Sequence, residues 1–189
     1  MVLGDFGVTG KNLTKLNKYL KETEQQILFV DGNHEYYNKL KKTKEIDMFG
    51  GKVGKYAENI FWLKRGEVYE INGKKILTFG AAFSIDRIYR IEGIDWFPEE
   101  QFSPGEYQNL FKNIGKHNNK FDYILSHDCP RHIVEYLYGY NSYENKTSNL
   151  LENIYKTCEF EKWYFGHHHV DIKKDRFVGV WEREHILEL

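Results

Sequence analysis

Apolar residues along the chain fall into short runs, and most of these runs stop at a polar, glycine-bearing cluster. Met1-Val2-Leu3 runs into Gly4-Asp5-Phe6-Gly7, which predicts a strand followed by a turn. Leu13, Leu16 and Leu20 recur at helical spacing and predict an amphipathic helix over residues 11–23. Ile27-Leu28-Phe29-Val30 is a continuous apolar run ending at Asp31-Gly32, the pattern of a buried strand that gives way to a loop. Farther on, residues 60–63, 67–71 and 75–79 form β-rich runs, the last two joined as a hairpin by Asn72-Gly73. Residues 80–101 make a long, partly aromatic connection. Ser103, Pro104 and Glu106 combine an N-cap, a first-turn proline and a capping box, so a helix is expected from there to about residue 116.

The remaining runs repeat the theme. Residues 121–125 predict a strand ending at Ser126-His127, and Leu150, Leu151 and Ile154 mark a helix. Trp163-Tyr164-Phe165 predicts a strand ending at Gly166-His167-His168-His169, followed by strands over 177–180 and near Ile186-Leu187. Strand, helix, strand at the start, with polar residues after each strand, indicates an α/β fold whose ligands gather at the carboxyl ends of strands.

Length and composition narrow the picture. At 189 residues, without a linker or repeat, the chain reads as a single domain over 1–189. Lys and Arg number 27 against 28 Asp and Glu; this near-neutral balance argues against a nucleic-acid partner, which calls for a basic face. Two cysteines, Cys129 and Cys158, have no metal-type spacing and read as buried thiols. No run is long enough to span a membrane and the N-terminus is no signal peptide, so a cytoplasmic location is expected.

The chemistry lies in four clusters at four predicted strand ends: Gly4-Asp5-Phe6-Gly7, Gly32-Asn33-His34-Glu35, Ser126-His127-Asp128 and Gly166-His167-His168-His169. Imidazoles and carboxylates with one amide oxygen suit a divalent metal such as Mn, Fe or Zn in a mixed shell, not a closed structural zinc site. His168 lies between two candidate ligands and would point away in an extended segment. His117, His132 and His185 read as ordinary surface or core histidines. Lys39, Lys41, Lys42 and Lys44 read as a solvated helix face or loop, and the Gly51–Gly54 stretch lacks the ending of a P-loop.

The ordered series Gly-Asp, Gly-Asn-His-Glu, His, Gly-His-x-His, spanning residues 4–169, resembles the calcineurin-like metallophosphoesterase superfamily. The resemblance implies an α/β/β/α sandwich of two mixed sheets and two divalent metals about 3.5–4 Å apart that clamp an in-line displacement at phosphorus. It implies Asp5 as the bridging carboxylate and Asn33, His127 and His167 on the second metal, with His169 on the first. It implies His34 as general acid, oriented by Glu35 or a nearby carboxylate, and a metal-activated water as nucleophile. Residues 84–100 resemble a stretch of a bacterial subgroup of this superfamily, in which Arg87 or Arg90 could clamp the substrate phosphate.

One departure accompanies the match. The superfamily opens on an Asp-x-His strand that completes the first metal's shell, whereas Asp5 here follows Met1 by four residues. The expectation is therefore a sandwich missing its first strand. The expected activity is hydrolysis of a phosphomonoester or phosphodiester, manganese phosphatase chemistry included. A catalytically impaired binding scaffold is the rival reading, and a nuclease of the same fold is disfavoured by the net charge of -1.

Overall fold

The computed structural model describes residues 1–139, 145–185 and 187. Two mixed sheets form the middle of the molecule. The first carries β1 (Val2–Leu3), β2 (Ile27–Val30), β3 (Lys44–Met48), β4 (Gly51–Ala57) and β5 (Ile60–Leu63), in the order β1-β2-β5-β4-β3. The second carries β6 (Val68–Ile71), β7 (Lys74–Phe79), β8 (Lys120–Ser126), β9 (Glu159–Phe165), β10 (Ile172–Lys174) and β11 (Phe177–Gly179), in the order β10-β11-β9-β8-β7-β6.

Period-two alternation sorts side chains between the two faces of each sheet. In β2, Phe29 faces outward onto Leu13 and Leu20 of α1 (Gly10–Glu22), while Leu28 and Val30 face inward with Val53, Phe61 and Tyr69. In β9, Trp163 and Phe165 face outward, where they join Leu110 and Ile114 of α3 (Pro104–Lys116). The same cluster takes in Ile133 and Val134 of α4 (Arg131–Tyr138) and Leu150, Leu151 and Ile154 of α5 (Lys146–Thr157). Tyr164 faces inward with Tyr123 and Leu125. The layers are thus helix, sheet, sheet, helix, the α/β/β/α sandwich expected.

Two elements differ from the sequence reading. Lys44 lies in β3 of the β3–β4 hairpin and not on a helix face or loop, whereas Lys39 sits on the short helix α2 (Tyr37–Leu40), its ammonium over the Tyr56 ring. The strand expected near Ile186-Leu187 falls partly outside the described residues: Ile186 is not among them, and Leu187 packs against the inner face of the second sheet without belonging to a strand.

Topology brings the chemistry to one end. β1 runs parallel to β2, with Leu3 opposite Val30, so Gly4-Asp5 and Asp31-Gly32-Asn33 leave the first sheet side by side. β7, β8 and β9 are also parallel, with Phe79 opposite Ser126 and Ser126 opposite Phe165, so Gly80, His127 and Gly166 leave the second sheet together. The four clusters therefore meet across the ends of both sheets.

Candidate metal centre

The site is set by who donates to whom. His127 is buried, and its Nδ1 lies 2.6 Å from the Leu3 carbonyl oxygen, which can only accept. That contact places a proton on Nδ1 and leaves Nε2 with its lone pair free when the ring is neutral. Nε2 faces Asn33 Oδ1 at 3.1 Å and Asp5 Oδ1 at 3.3 Å. Asn33 is held the right way round because its Nδ2 donates to Ser84 Oγ at 3.0 Å, and the Ser84 hydroxyl in turn donates to the Glu100 carboxylate. Three lone-pair atoms from three elements thus converge with no proton between them, an arrangement that repels itself unless a cation sits at its centre. The donor set fits a divalent metal on its own chemistry.

The backbone carries strain at the same place. Asp5, His167 and His169 adopt left-handed φ of 52°, 60° and 52°, a region that costs a non-glycine residue about 1–3 kcal/mol. Asp5 is anchored further by the His34 backbone N–H, which donates to its Oδ1 at 2.9 Å. Glu35 has a different task from the one expected of it: its carboxylate accepts from the backbone N–H groups of Phe6, Gly7 and Gly32 at 2.8, 3.1 and 3.3 Å. It ties the Asp5 loop to the Asn33 loop and is not what orients the His34 ring. Burial pushes the Glu35 carboxyl up to about 8, against the pull of these N–H donors toward the anion.

The other candidates separate. His167 packs its ring 5.0 Å from that of His127. Although part of its surface meets the cleft, protein surrounds it closely enough that desolvation pushes its pKa down to about 3 from 6.5. It is neutral at pH 7, as a metal ligand must be. The sign follows from linkage: the folded pKa lies below the unfolded one, so the stability His167 supports is present above about 6.5 and lost as pH falls toward 3. Acid titration of the metal-free protein, followed by circular dichroism, is expected to show that loss, and His167→Phe should flatten it. His169 lies in the same cleft of about 690 Å³ as Asp5, His127 and His167, but its ring stacks on Trp181 at 3.9 Å.

His34 is exposed, and the Arg90 guanidinium approaches both its ring nitrogens, at 2.7 and 3.0 Å. Arg90 is itself held by Asp86 at 2.9 Å and Glu100 at 3.5 Å. Arg87 is not brought there: its guanidinium lies 4.6 Å from the centre of the Trp96 ring.

Residues 1–171 match the model of the calcineurin-like phosphoesterase family. The chain belongs to that family. No curated protein matches the chain. Family membership makes phosphoester hydrolysis the general chemistry of the fold and divalent metals its general cofactor.

Three supporting residues lay beyond the sequence reading. Asp128 is buried and accepts from His168 Nε2 at 2.9 Å and Cys129 N at 2.7 Å, so it pins the loop that carries His167 and His169. His168 bonds Asp128, and its ring lies 5.0 Å from that of His167; the segment is not extended there, since His167 and His169 on either side have left-handed φ. Asp128, Cys129 and His168 are also close enough that their ligand atoms lie within 4.8 Å of one another. Ser84 and Glu100 are the other two. Ser84→Ala is expected to free the Asn33 amide and weaken metal affinity by about 10–100-fold, as loss of an outer-shell partner typically does. Calorimetric titration with Mn²⁺ checks this; unchanged affinity would remove Ser84 from that role. Both cysteines are buried free thiols, and no described helix is long and apolar enough to cross a membrane.

Proposed function

We propose that the chain carries out metal-dependent hydrolysis of a phosphomonoester or phosphodiester, with Asp5, Asn33, His127 and His167 holding metal and His169 reaching toward a second ion. The observation that carries this reading is the convergence of His127 Nε2 on Asn33 Oδ1 and Asp5 Oδ1 at 3.1 and 3.3 Å, with His127 and Asn33 oriented by N–H groups that donate elsewhere and Asp5 Oδ1 held by the His34 backbone N–H. A bound divalent cation supplies the charge that brings water near its neutral-pH pKa and offsets the phosphate's own charge. The chain's residues do the rest. In this reading Arg90, whose guanidinium is engaged by Asp86, Glu100 and the His34 ring, gives up its His34 contacts to meet phosphate oxygens. This reading gives His34, exposed at the rim beside it, the task of handing a proton to the leaving oxygen. The two buried free thiols accord with a reducing, cytoplasmic setting.

The test pairs elemental analysis of metal content with hydrolysis of p-nitrophenyl phosphate and bis(p-nitrophenyl) phosphate in Mn²⁺. Bound metal and turnover are expected, with both lost in Asp5→Asn. A folded protein with neither would establish the second reading, a binding scaffold. That reading draws its support from His169, whose ring is stacked on Trp181.

A further inference from the structure

Asn33 can present either end of its amide to the site, and the shape of the side chain does not choose between them. As it stands, Oδ1 lies 3.1 Å from His127 Nε2, one lone pair set against another when the ring is neutral. Turned over, the amide would bring Nδ2 to that spot and donate to Nε2. The metal-free site would gain a hydrogen bond by closing itself to a cation, so something must oppose the turn. Asn33 Nδ2 donates to Ser84 Oγ at 3.0 Å, and Arg90 Nη1 approaches the same oxygen at 3.4 Å. Both are donors only, so they take the hydroxyl's two lone pairs and its single proton has to go elsewhere. It goes to Glu100 Oε2. The other oxygen, Oε1, faces the Phe97 N–H at 3.3 Å and the Arg90 guanidinium at 3.5 Å, donors again, so Glu100 is an anion with no proton to give. Asn33, Ser84 and Glu100 are all buried, where a mismatched polar pair is costly.

We infer that Glu100 is a positioning residue that keeps Asn33 open to metal: by claiming the Ser84 proton, it bars the amide from turning Nδ2 into the site. The inference rests on the reading of Asn33 as a metal ligand. With Glu100 in place, a turned amide would set Asn33 Oδ1 against Ser84 Oγ, whose proton is already engaged. It would also give up a bond to a hydroxyl that the carboxylate polarises into a stronger acceptor. Glu100→Gln changes almost no volume and reverses every step. The new amide keeps the Phe97 N–H on its oxygen and donates from its nitrogen to Ser84 Oγ. The hydroxyl proton then turns to Asn33 Oδ1, and Asn33 Nδ2 to His127 Nε2. Each group is satisfied, and the chain of bonds ends in a closed site.

Calorimetric titration with Mn²⁺ of the parent, Glu100→Gln, Asn33→Asp and the double variant tests it. Glu100→Gln is expected to weaken Mn²⁺ binding about 10–100-fold, as loss of an outer-shell partner does. The thermal midpoint of the metal-free protein should stay within about 4 °C of the parent, because no buried group is left unpaired. A carboxylate at position 33 presents oxygen whichever way it turns. Adding Glu100→Gln to Asn33→Asp should therefore cost no more than about two-fold, the scatter of independent effects. Ring-nitrogen NMR of the metal-free protein, at a pH where His127 is neutral, reads the turn itself. The His127 Nε2 resonance should move upfield in Glu100→Gln, as a bare ring nitrogen does on accepting a hydrogen bond. Unchanged Mn²⁺ affinity in Glu100→Gln would overturn the inference. So would an equal loss in the Asn33→Asp background, the mark of a missing charge and not of a turned amide, or a His127 resonance that stays in place. A parent that binds no Mn²⁺ while the resonance still moves sinks the metal reading and leaves the hold of Glu100 on Asn33 standing.

Discussion

Replacing Arg65 with methionine is expected to destabilise the protein by about 3–5 kcal/mol, the usual consequence of leaving one member of a buried ion pair alone. In urea this is a fall in midpoint of roughly 2 M, given slopes of about 1–3 kcal/mol/M. Arg65 and Asp31 are both buried. The guanidinium donates to Asp31 Oδ2 from Nε at 2.8 Å and again from Nη2, and to the Glu99 and Gln101 carbonyls at 2.7 and 3.0 Å. Burial alone would raise the Asp31 carboxyl, but Arg65 overrides it and holds the group below 3.8. The pair's contribution is accordingly present above about pH 3.8 and lost as pH falls below it. In the variant, Asp31 loses its counter-charge and takes up a proton more readily, so the stability gap to the parent should narrow in acid. Adding Asp31→Leu should restore little, because Trp62 Nε1, the Tyr37 hydroxyl and Ala81 N also donate to that carboxylate. A loss below 1 kcal/mol would show that Arg65 does not hold Asp31. Asp31 directly precedes Gly32-Asn33-His34, so metal affinity should fall with stability.

This ion pair also marks the limit of what the sequence made legible. Elements specified by neighbours along the chain were readable. Ser103 and Glu106 close their capping box as expected, through Ser103 N to Glu106 Oε2 at 2.6 Å and Glu106 N to Ser103 Oγ at 3.3 Å. The Asn72-Gly73 turn joins β6 to β7 with φ of 50° and 79°, the two positive values a tight hairpin requires. The candidate ligands were readable for a related reason: each ends a strand, and parallel strands present their ends together.

What could not be read depends on partners far along the chain. The β3–β4 hairpin alternates charge on an edge strand and carries glycines at 51 and 54, whose added Cβ atoms would lie 2.9 Å from Tyr69 and from Trp62. Those glycines look like strand breakers until the facing rings are in place. Arg65 meets Asp31 across 34 residues and Ser84 meets Asn33 across 51, and no local pattern links them. The family resemblance implies Glu35 or a nearby carboxylate as the group that orients His34, whereas the three N–H donors that Glu35 meets lie on two loops brought together by β1–β2 pairing.

Gly4→Ala is the other large effect expected, about 2–6 kcal/mol, a sizeable part of the roughly 5–15 kcal/mol that stabilises an ordinary domain. Two terms add. Gly4 has φ of +96°, which strains any L side chain by about 1–3 kcal/mol. Its added Cβ would also fall 2.0 Å from His127 Nδ1 and 2.5 Å from Cγ, an overpacking of about 1–3 kcal/mol more. The ring cannot step aside cheaply, because Nδ1 is held by the Leu3 carbonyl. Gly32→Ala separates sterics from strain: its φ is ordinary, yet the Cβ would lie 2.2 Å from Asp5 Oδ1 and 2.8 Å from His127 Cε1. It should therefore weaken Mn²⁺ affinity more than its effect on thermal stability suggests. Gly115→Ala in α3 is the control, with nothing within 4 Å of the new methyl and an expected gain of about 0.4–1 kcal/mol. If Gly32→Ala bound Mn²⁺ as tightly as the parent, the Asp5–His127 pair could not be where the metal is held. Space around these two glycines, reserved by backbone that tolerates no side chain, is what lets the three lone-pair donors approach one another.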